Sequence, residues 1–208
     1  MKKLLSKTLS LWCIAAAMCL ASCIDDVNSS YPSRITEFVV AKTNSSGMLS
    51  KVILDDGRSY DVSSPEVNWG VADTLFRCLA SYVPSETSIK LYGITNVFSN
   101  YPVSLEKILE SGEYTEETLP RDPVKVVSMW KSGGYINMEL GVLTTSNAPH
   151  RYAFCDEGDG KYSLLHEKPL GYPEAYTQSV FLSMPIPEGV ESLTFSVHIY
   201  DGTFTHTF

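Results

Sequence analysis

"DPVKVVSMWKSGGYINMELGV", Asp122 to Val142, decides how the second half of this chain is read. Two β-rich runs flank Gly133-Gly134, a pair with no Cβ to oppose the positive φ that a tight hairpin needs. In "YINMELGV" the residues Ile136, Met138, Leu140 and Val142 alternate with Tyr135, Asn137 and Glu139. That period of two predicts a strand with one apolar face. In "VKVVSMW" the same count places Val124, Val126 and Trp130 on one face, which predicts Trp130 in the core.

Downstream, further short strands are predicted in "HRYAFCD", "KYSLLHE", "TQSVFLSM", "LTFSVHIY" and "TFTHTF". Turn residues separate them at regular spacing, the pattern of an antiparallel sandwich of about seven strands. Upstream, "RITEFVVAK", "KVILDDGRSYDV", "LFRCLASYV" and "SIKLYGITNVF" are also strand-like. Asp56-Gly57 marks a hairpin in the second of these. One helical pattern interrupts. In "VSLEKILESG", Leu105, Ile108 and Leu109 are spaced i, i+3, i+4, Ser104 can cap the start, and Gly112 can end it. The polar "EYTEE" and the prolines Pro120 and Pro123 then set a domain boundary. The chain is all-β, with one short helix near that boundary.

The amino terminus predicts an address. Lys2, Lys3 and Lys7 precede the apolar run Leu11–Ala21. That run is too short to span a bilayer, which takes about 20 residues. It fits a secretory signal. Leu20-Ala21-Ser22-Cys23 resembles the bacterial lipobox, whose cysteine is acylated and becomes the first mature residue. Residues 1–22 are thus expected to be a lipoprotein signal peptide, 23–33 a polar tether, and Cys23 the lipid attachment. Acyl chains hold a protein to a membrane at about 0.8 kcal/mol per buried methylene. Asp25-Asp26 just after the cysteine resemble a surface-export signal of Bacteroides-type bacteria. The expected location is the outer membrane, with display at the cell surface.

The net charge is −8, and the predicted cut removes three lysines and no acid, so the mature chain is more acidic still. An acidic chain argues against a nucleic-acid partner, which requires a basic face, and against charge-driven adhesion to anionic lipid. Cys78 and Cys155 are the cysteines left after processing. They read as two separate buried residues rather than a disulfide.

The segment Asp122–Val142, with "HRYAFCDE", "PEAYTQSVFLSM" and "LTFSVHIYDGTFTHTF" after it, resembles the NigD-like lipoproteins of Bacteroides-type bacteria. The lipobox, "VILDDG" and "NVFSNYPV" add to the likeness. The resemblance implies an amino-terminal OB-like small barrel over residues 34–119 and a carboxy-terminal β-sandwich over 120–208. It also brings a bacteriocin-immunity label, and no catalytic residues carry over from it.

The residues themselves predict little chemistry. An Asp201-Gly202 turn would place His198 and His206 on opposite faces of a hairpin, unsuited to a shared metal. "DEGDGK", Asp156 to Lys161, is acidic, but Gly158 falls where a calcium loop needs an oxygen ligand, so a hairpin turn is expected. No nucleophile elbow or phosphate loop is present. No metal, no cofactor and no enzymatic activity are expected. Trp69, in the loop "SPEVNWGVAD", is the candidate ligand-binding residue. The predicted function is a non-catalytic envelope lipoprotein that binds a protein, with bacteriocin immunity as its role. The alternative is a glycan-binding accessory of an outer-membrane uptake system.

Overall fold

A computed structural model describes residues 33–145 and 149–208. The predicted signal peptide, Cys23 and the tether up to residue 32 lie outside the described residues. Arg34–Phe208 forms one unit, and among the described residues no helix is long and apolar enough to cross a membrane.

Strands β1 (Ile35–Thr43), β2 (Leu49–Leu54), β3 (Ser59–Ser64), β4 (Leu75–Pro84) and β5 (Ser88–Asn96) close a barrel in the order β1-β2-β3-β5-β4. This is the OB-like order, with β3 and β5 parallel. Alternation explains the barrel interior. Val39 and Ala41 of β1, Val52 and Leu54 of β2, Cys78 and Ala80 of β4, and Ile89 and Leu91 of β5 all turn inward. The β2–β3 turn is a three-residue type, in which Gly57 alone takes a positive φ of 87°.

After the barrel come β6 (Val103–Ser104) and helix α1 (Leu105–Glu110), then β7 (Lys125–Ser132), β8 (Tyr135–Thr144), β9 (Arg151–Gly158), β10 (Lys161–Glu167), β11 (Tyr176–Pro185), β12 (Thr194–Ile199) and β13 (Gly202–Thr207). They form a sheet of five, β13-β12-β10-β9-β6, and a sheet of three, β11-β8-β7. Two pairings of the larger sheet, β10 with β12 and β6 with β9, are parallel. The last barrel strand ends at Asn96, and β6 already pairs with β9, upstream of the boundary expected at Pro120. Ser104 caps α1 through its side chain, which accepts from Lys107 N, as the sequence suggests. The helix packs Leu105 and Ile108 onto Leu119, Cys155 and Leu165.

The sandwich core holds Ile136, Met138, Leu140 and Val142 against Phe154, Leu164, Phe195 and Val197. The opposite face of β8 is covered too. Asn137 is fully buried there, opposite Ser183 of β11. The three-stranded sheet is therefore a middle layer, with the five-stranded sheet on one side and the barrel on the other.

A bulge corrects the expected place of Trp130. The β7–β8 register skips Val127, so Val126 pairs with Leu140 but Trp130 pairs with Asn137. One extra residue reverses the facing of everything beyond it. Met129 therefore enters the sandwich core. Trp130 faces the barrel, where it meets Phe38.

Candidate functional site at the barrel–sheet joint

The joint is built around Arg77. In β4 its neighbours Phe76 and Cys78 belong to the barrel, so strand alternation turns Arg77 outward with Leu79. The middle sheet covers it, and its side chain is 1% exposed. A guanidinium can be buried only with its donors satisfied and its charge paired. Nη1 and Nη2 donate to the two oxygens of Asp55 at 2.5 and 2.9 Å. Nη2 also donates to Asn137 Oδ1 at 2.9 Å, and Nε to Ser183 Oγ at 3.1 Å. The planar fork matches the carboxylate in a bidentate pair, and the Tyr135 ring lies 4.1 Å from Cζ.

The acceptors are themselves held. Ser183 donates to Asn137 Oδ1 at 2.6 Å, Asn137 Nδ2 donates to Ser132 Oγ at 2.9 Å, and Ser132 donates to Asp55 Oδ2. Gly133 and Gly134 take φ of 58° and 81° in the β7–β8 turn. A Cβ on Gly133 would lie 2.4 Å from the Asp55 carboxyl carbon. Asp55 can reach Arg77 because that glycine has no side chain. Thus "VILDDG", "LFRCL" and "WKSGGYIN" meet in one polar network.

Beside this network lies a cleft of about 470 Å³, within the range of small-ligand sites. Phe38, Leu79, Trp130 and Phe181 wall it, and Glu37, Asp55 and Asp56 are among its lining residues. The Phe38 ring meets Trp130 at 5.3 Å and Phe181 at 6.0 Å, with planes 80° and 71° apart. Tyr82 donates to Glu37 Oε1. Burial, then that carboxylate, pushes the Tyr82 phenol well above its ordinary range. The backbone N–H and the guanidinium of Arg58 hold the Asp56 carboxyl below the usual carboxylate range.

The residues singled out from sequence lie elsewhere. Trp69 is half-buried, packs edge-on against Phe76 at 4.6 Å, and rests on the barrel core. Asp159 and Gly160 form the β9–β10 hairpin turn with φ of 52° and 70°. Among the described residues, no group of three His, Cys, Asp or Glu side chains gathers as a metal site. Cys78 and Cys155 are free and buried, as expected. Burial pushes their thiols up to about 12 and about 11. Neither is expected to react with a thiol reagent at pH 8 in the native protein, and both should react on unfolding. Fast labelling of the native form would contradict this burial.

Sequence reasoning missed a histidine pair. His150 Nδ1 and His166 Nε2 are 2.8 Å apart, His166 Nδ1 lies 2.9 Å from Asp122 O, and His150 Nε2 lies 3.0 Å from Thr144 Oγ1. Tyr152 stacks on His166 at 5.2 Å. Counting along the hairpin does not reveal it, because the register slips by one residue. Counting from an Asp159-Gly160 turn pairs His166 with Ala153, but a register shift at Lys161/Tyr162 brings Tyr152 opposite His166, which puts His150, two residues from Tyr152, on the same face. Burial lowers both imidazoles below their ordinary 6.5, and His166 adds to the effect on His150. Asp122 and Glu174 oppose the shift in His150, while Asp122 opposes and Lys168 reinforces it in His166. The unfolded chain therefore takes up protons before the folded one. Stability should be full above pH 6.5 and fall as the pH drops below it. Urea midpoints at pH 7.5 and pH 5 measure this, and His166→Gln should flatten the difference.

No protein-family profile and no curated protein matches the chain. Solved structures do. A NigD-like immunity protein from Bacteroides caccae is 22% identical, with 85% of this chain and 93% of that one covered and a TM-score of 0.62. A candidate toxin-related protein from Parabacteroides distasonis is 16% identical, covers 85% and 92%, and has a TM-score of 0.67. A candidate lipoprotein from Bacteroides fragilis is 14% identical, covers 85% and 96%, and has a TM-score of 0.58. At these identities the likeness is one of fold. The chain thus has the fold of a NigD-like immunity protein, a barrel joined to a β-sandwich.

Proposed function

We propose that this protein is a cell-envelope lipoprotein that binds another protein without catalysing a reaction, and that its binding site is the cleft walled by Phe38, Trp130 and Phe181. The observation that carries this reading is the cleft itself. It presents aromatic surface at the junction of the barrel and the middle sheet. Aromatic anchors in such positions dominate protein interfaces. The carboxylate paired with Arg77 is committed to structure, since Asp55 is held by a guanidinium and a serine. The fold shared with an immunity protein supports bacteriocin immunity as the role.

Lipid on Cys23 holds the protein to the outer membrane in this reading. Cys23→Ala should move it from the membrane fraction to the soluble fraction, and a variant still bound to membranes would contradict the anchor. Deletion of the gene should sensitise the cell to a bacteriocin, with protection restored by the wild-type chain and not by Trp130→Ala. Unchanged sensitivity across all toxins tested would sink immunity. A glycan-binding role is the second reading, favoured by the same three rings. Binding on a glycan array that falls in Trp130→Ala would establish it in place of the first.

A further inference from the structure

We infer that the free edge of strand β13 is a contact surface for a second copy of this chain, joined antiparallel about a two-fold axis through Thr205. β13 ends the five-stranded sheet, and among the described residues β12 is the strand that pairs with it. Leu193 and Phe208, just beyond the two strands, exchange both backbone hydrogen bonds. Facing pairs in an antiparallel ladder alternate between bonded and non-bonded. In the register of β12 and β13, Phe204 and His206 therefore bond to β12. Thr203, Thr205 and Thr207 turn their backbone N–H and C=O groups the other way, and all three residues are exposed.

An edge of this kind is normally defended by charge, proline or a bulge. The β7 edge of the middle sheet is defended in that way, by Lys125, Lys131 and the bulge at Val127. The β13 edge is not. "GTFTHTF", residues 202–208, holds no Lys, Arg, Asp, Glu or Pro, and its register with β12 runs without a shift. The chain as a whole carries a net charge of −8. Along this neutral strand a second copy meets no like charge opposite its own.

The order of the side chains selects the occupant. Outward from Thr205 the strand reads alike in both directions, with rings at 204 and 206 and threonines at 203 and 207. A two-fold axis through Thr205 pairs that residue with its own counterpart, Thr203 with Thr207, and Phe204 with His206. The free backbone groups of the threonines then face one another and bond. On the outer face lie the hydroxyl pairs Thr194–Thr207 and Ser196–Thr205, at 3.0 and 3.3 Å, and the threonine row continues them across the join. On the other face the Phe204 and His206 rings, 6.5 Å apart with planes 7° from parallel, meet the same two rings in reverse order. Matched cross-strand pairs of this kind stabilise a sheet. A strand from another protein fits equally well only if it repeats this alternation.

The test is disulfide cross-linking of the full chain under mild oxidation, with sedimentation velocity beside it. Bonded antiparallel pairs hold their Cα atoms about 5.5 Å apart, within reach of a disulfide. Thr205→Cys should therefore form a covalent dimer with itself, and Thr203→Cys only when mixed with Thr207→Cys. The wild-type chain has the same native cysteines and is the control. In sedimentation the wild-type chain should dimerise as its concentration rises. Thr205→Lys sets two like charges opposite each other on an exposed face and should weaken the dimer about tenfold or more. Thr205→Pro should weaken it too, because the N–H it removes is one that β12 does not use. An unchanged melting temperature of dilute Thr205→Lys separates this loss from a folding defect. A wild-type chain that stays monomeric at millimolar concentration would overturn the inference, even if the edge took up an extended strand from another protein. So would a dimer that persists in both variants, or Thr203→Cys linking to itself as readily as Thr205→Cys.

Discussion

Replacing Arg77 with Met is expected to destabilise the fold by about 3–5 kcal/mol, the usual cost of removing one partner of a buried ion pair. Methionine roughly fills the volume but supplies no donor. Asp55 would keep the Ser132 hydroxyl as its hydrogen-bond donor while losing its counter-charge. Asn137 and Ser183 would each lose a donor inside a buried interface. The cost comes from what is stranded, not from the guanidinium as such. Replacing Asp55 and Asn137 with leucine in the same chain should therefore recover part of the loss. Urea unfolding of the single and triple variants measures both effects. An Arg77→Met variant within about 1 kcal/mol of wild type would mean that the network is slack.

Gly133→Ala is expected to cost about 2–5 kcal/mol. The left-handed backbone accounts for roughly 1–2 kcal/mol, and forced contact in a packed site adds about 1–3 kcal/mol. The new methyl would stand 2.4 Å from both Cγ and Oδ1 of Asp55. Asp55 cannot swing away without leaving Arg77. The neighbouring glycine is the control. Gly134 also has a positive φ, of 81°, but nothing lies within 4 Å of its would-be Cβ. Gly134→Ala should therefore cost the backbone part alone. Equal losses at the two positions would show that Asp55 is not seated against Gly133.

The strands were legible because one face of each had to be apolar. Ile136, Met138, Leu140 and Val142 alternate without exception, and no other secondary structure buries that set together. The joint was not legible, because its parts are distant in sequence. Nothing local in "LFRCLASYV" says that Arg77 will find Asn137, 60 residues away. Trp130 shows a second limit. Counting by twos fails across the bulge at Val127, whose own side chain is left 50% exposed, and Trp130 beyond it turns to the barrel. The final hairpin shows a third. Asp201-Gly202 looked like the turn, but Ile199 pairs with Gly202, so Tyr200 and Asp201 make it. The far end fixes that register, where Leu193 and Phe208 exchange backbone hydrogen bonds. His198 and His206 still face opposite ways, because the shift is by an even number.

The candidate site was half legible for the same reasons. The aromatic residues and the acids could be named, but their assembly depends on a bulge and a long-range ion pair. Trp69 stood out as a loop tryptophan, yet its ring is tied to Phe76.

The most direct test of this account is a double-mutant cycle between Arg77 in the barrel and Asn137 in the middle sheet, read by urea unfolding. Their hydrogen bond and shared partners predict a coupling of about 1–3 kcal/mol and one unfolding transition for the whole unit. Additive single-mutant effects, with barrel and sandwich unfolding separately, would contradict the claim that this network fastens the two modules and shapes the cleft between them.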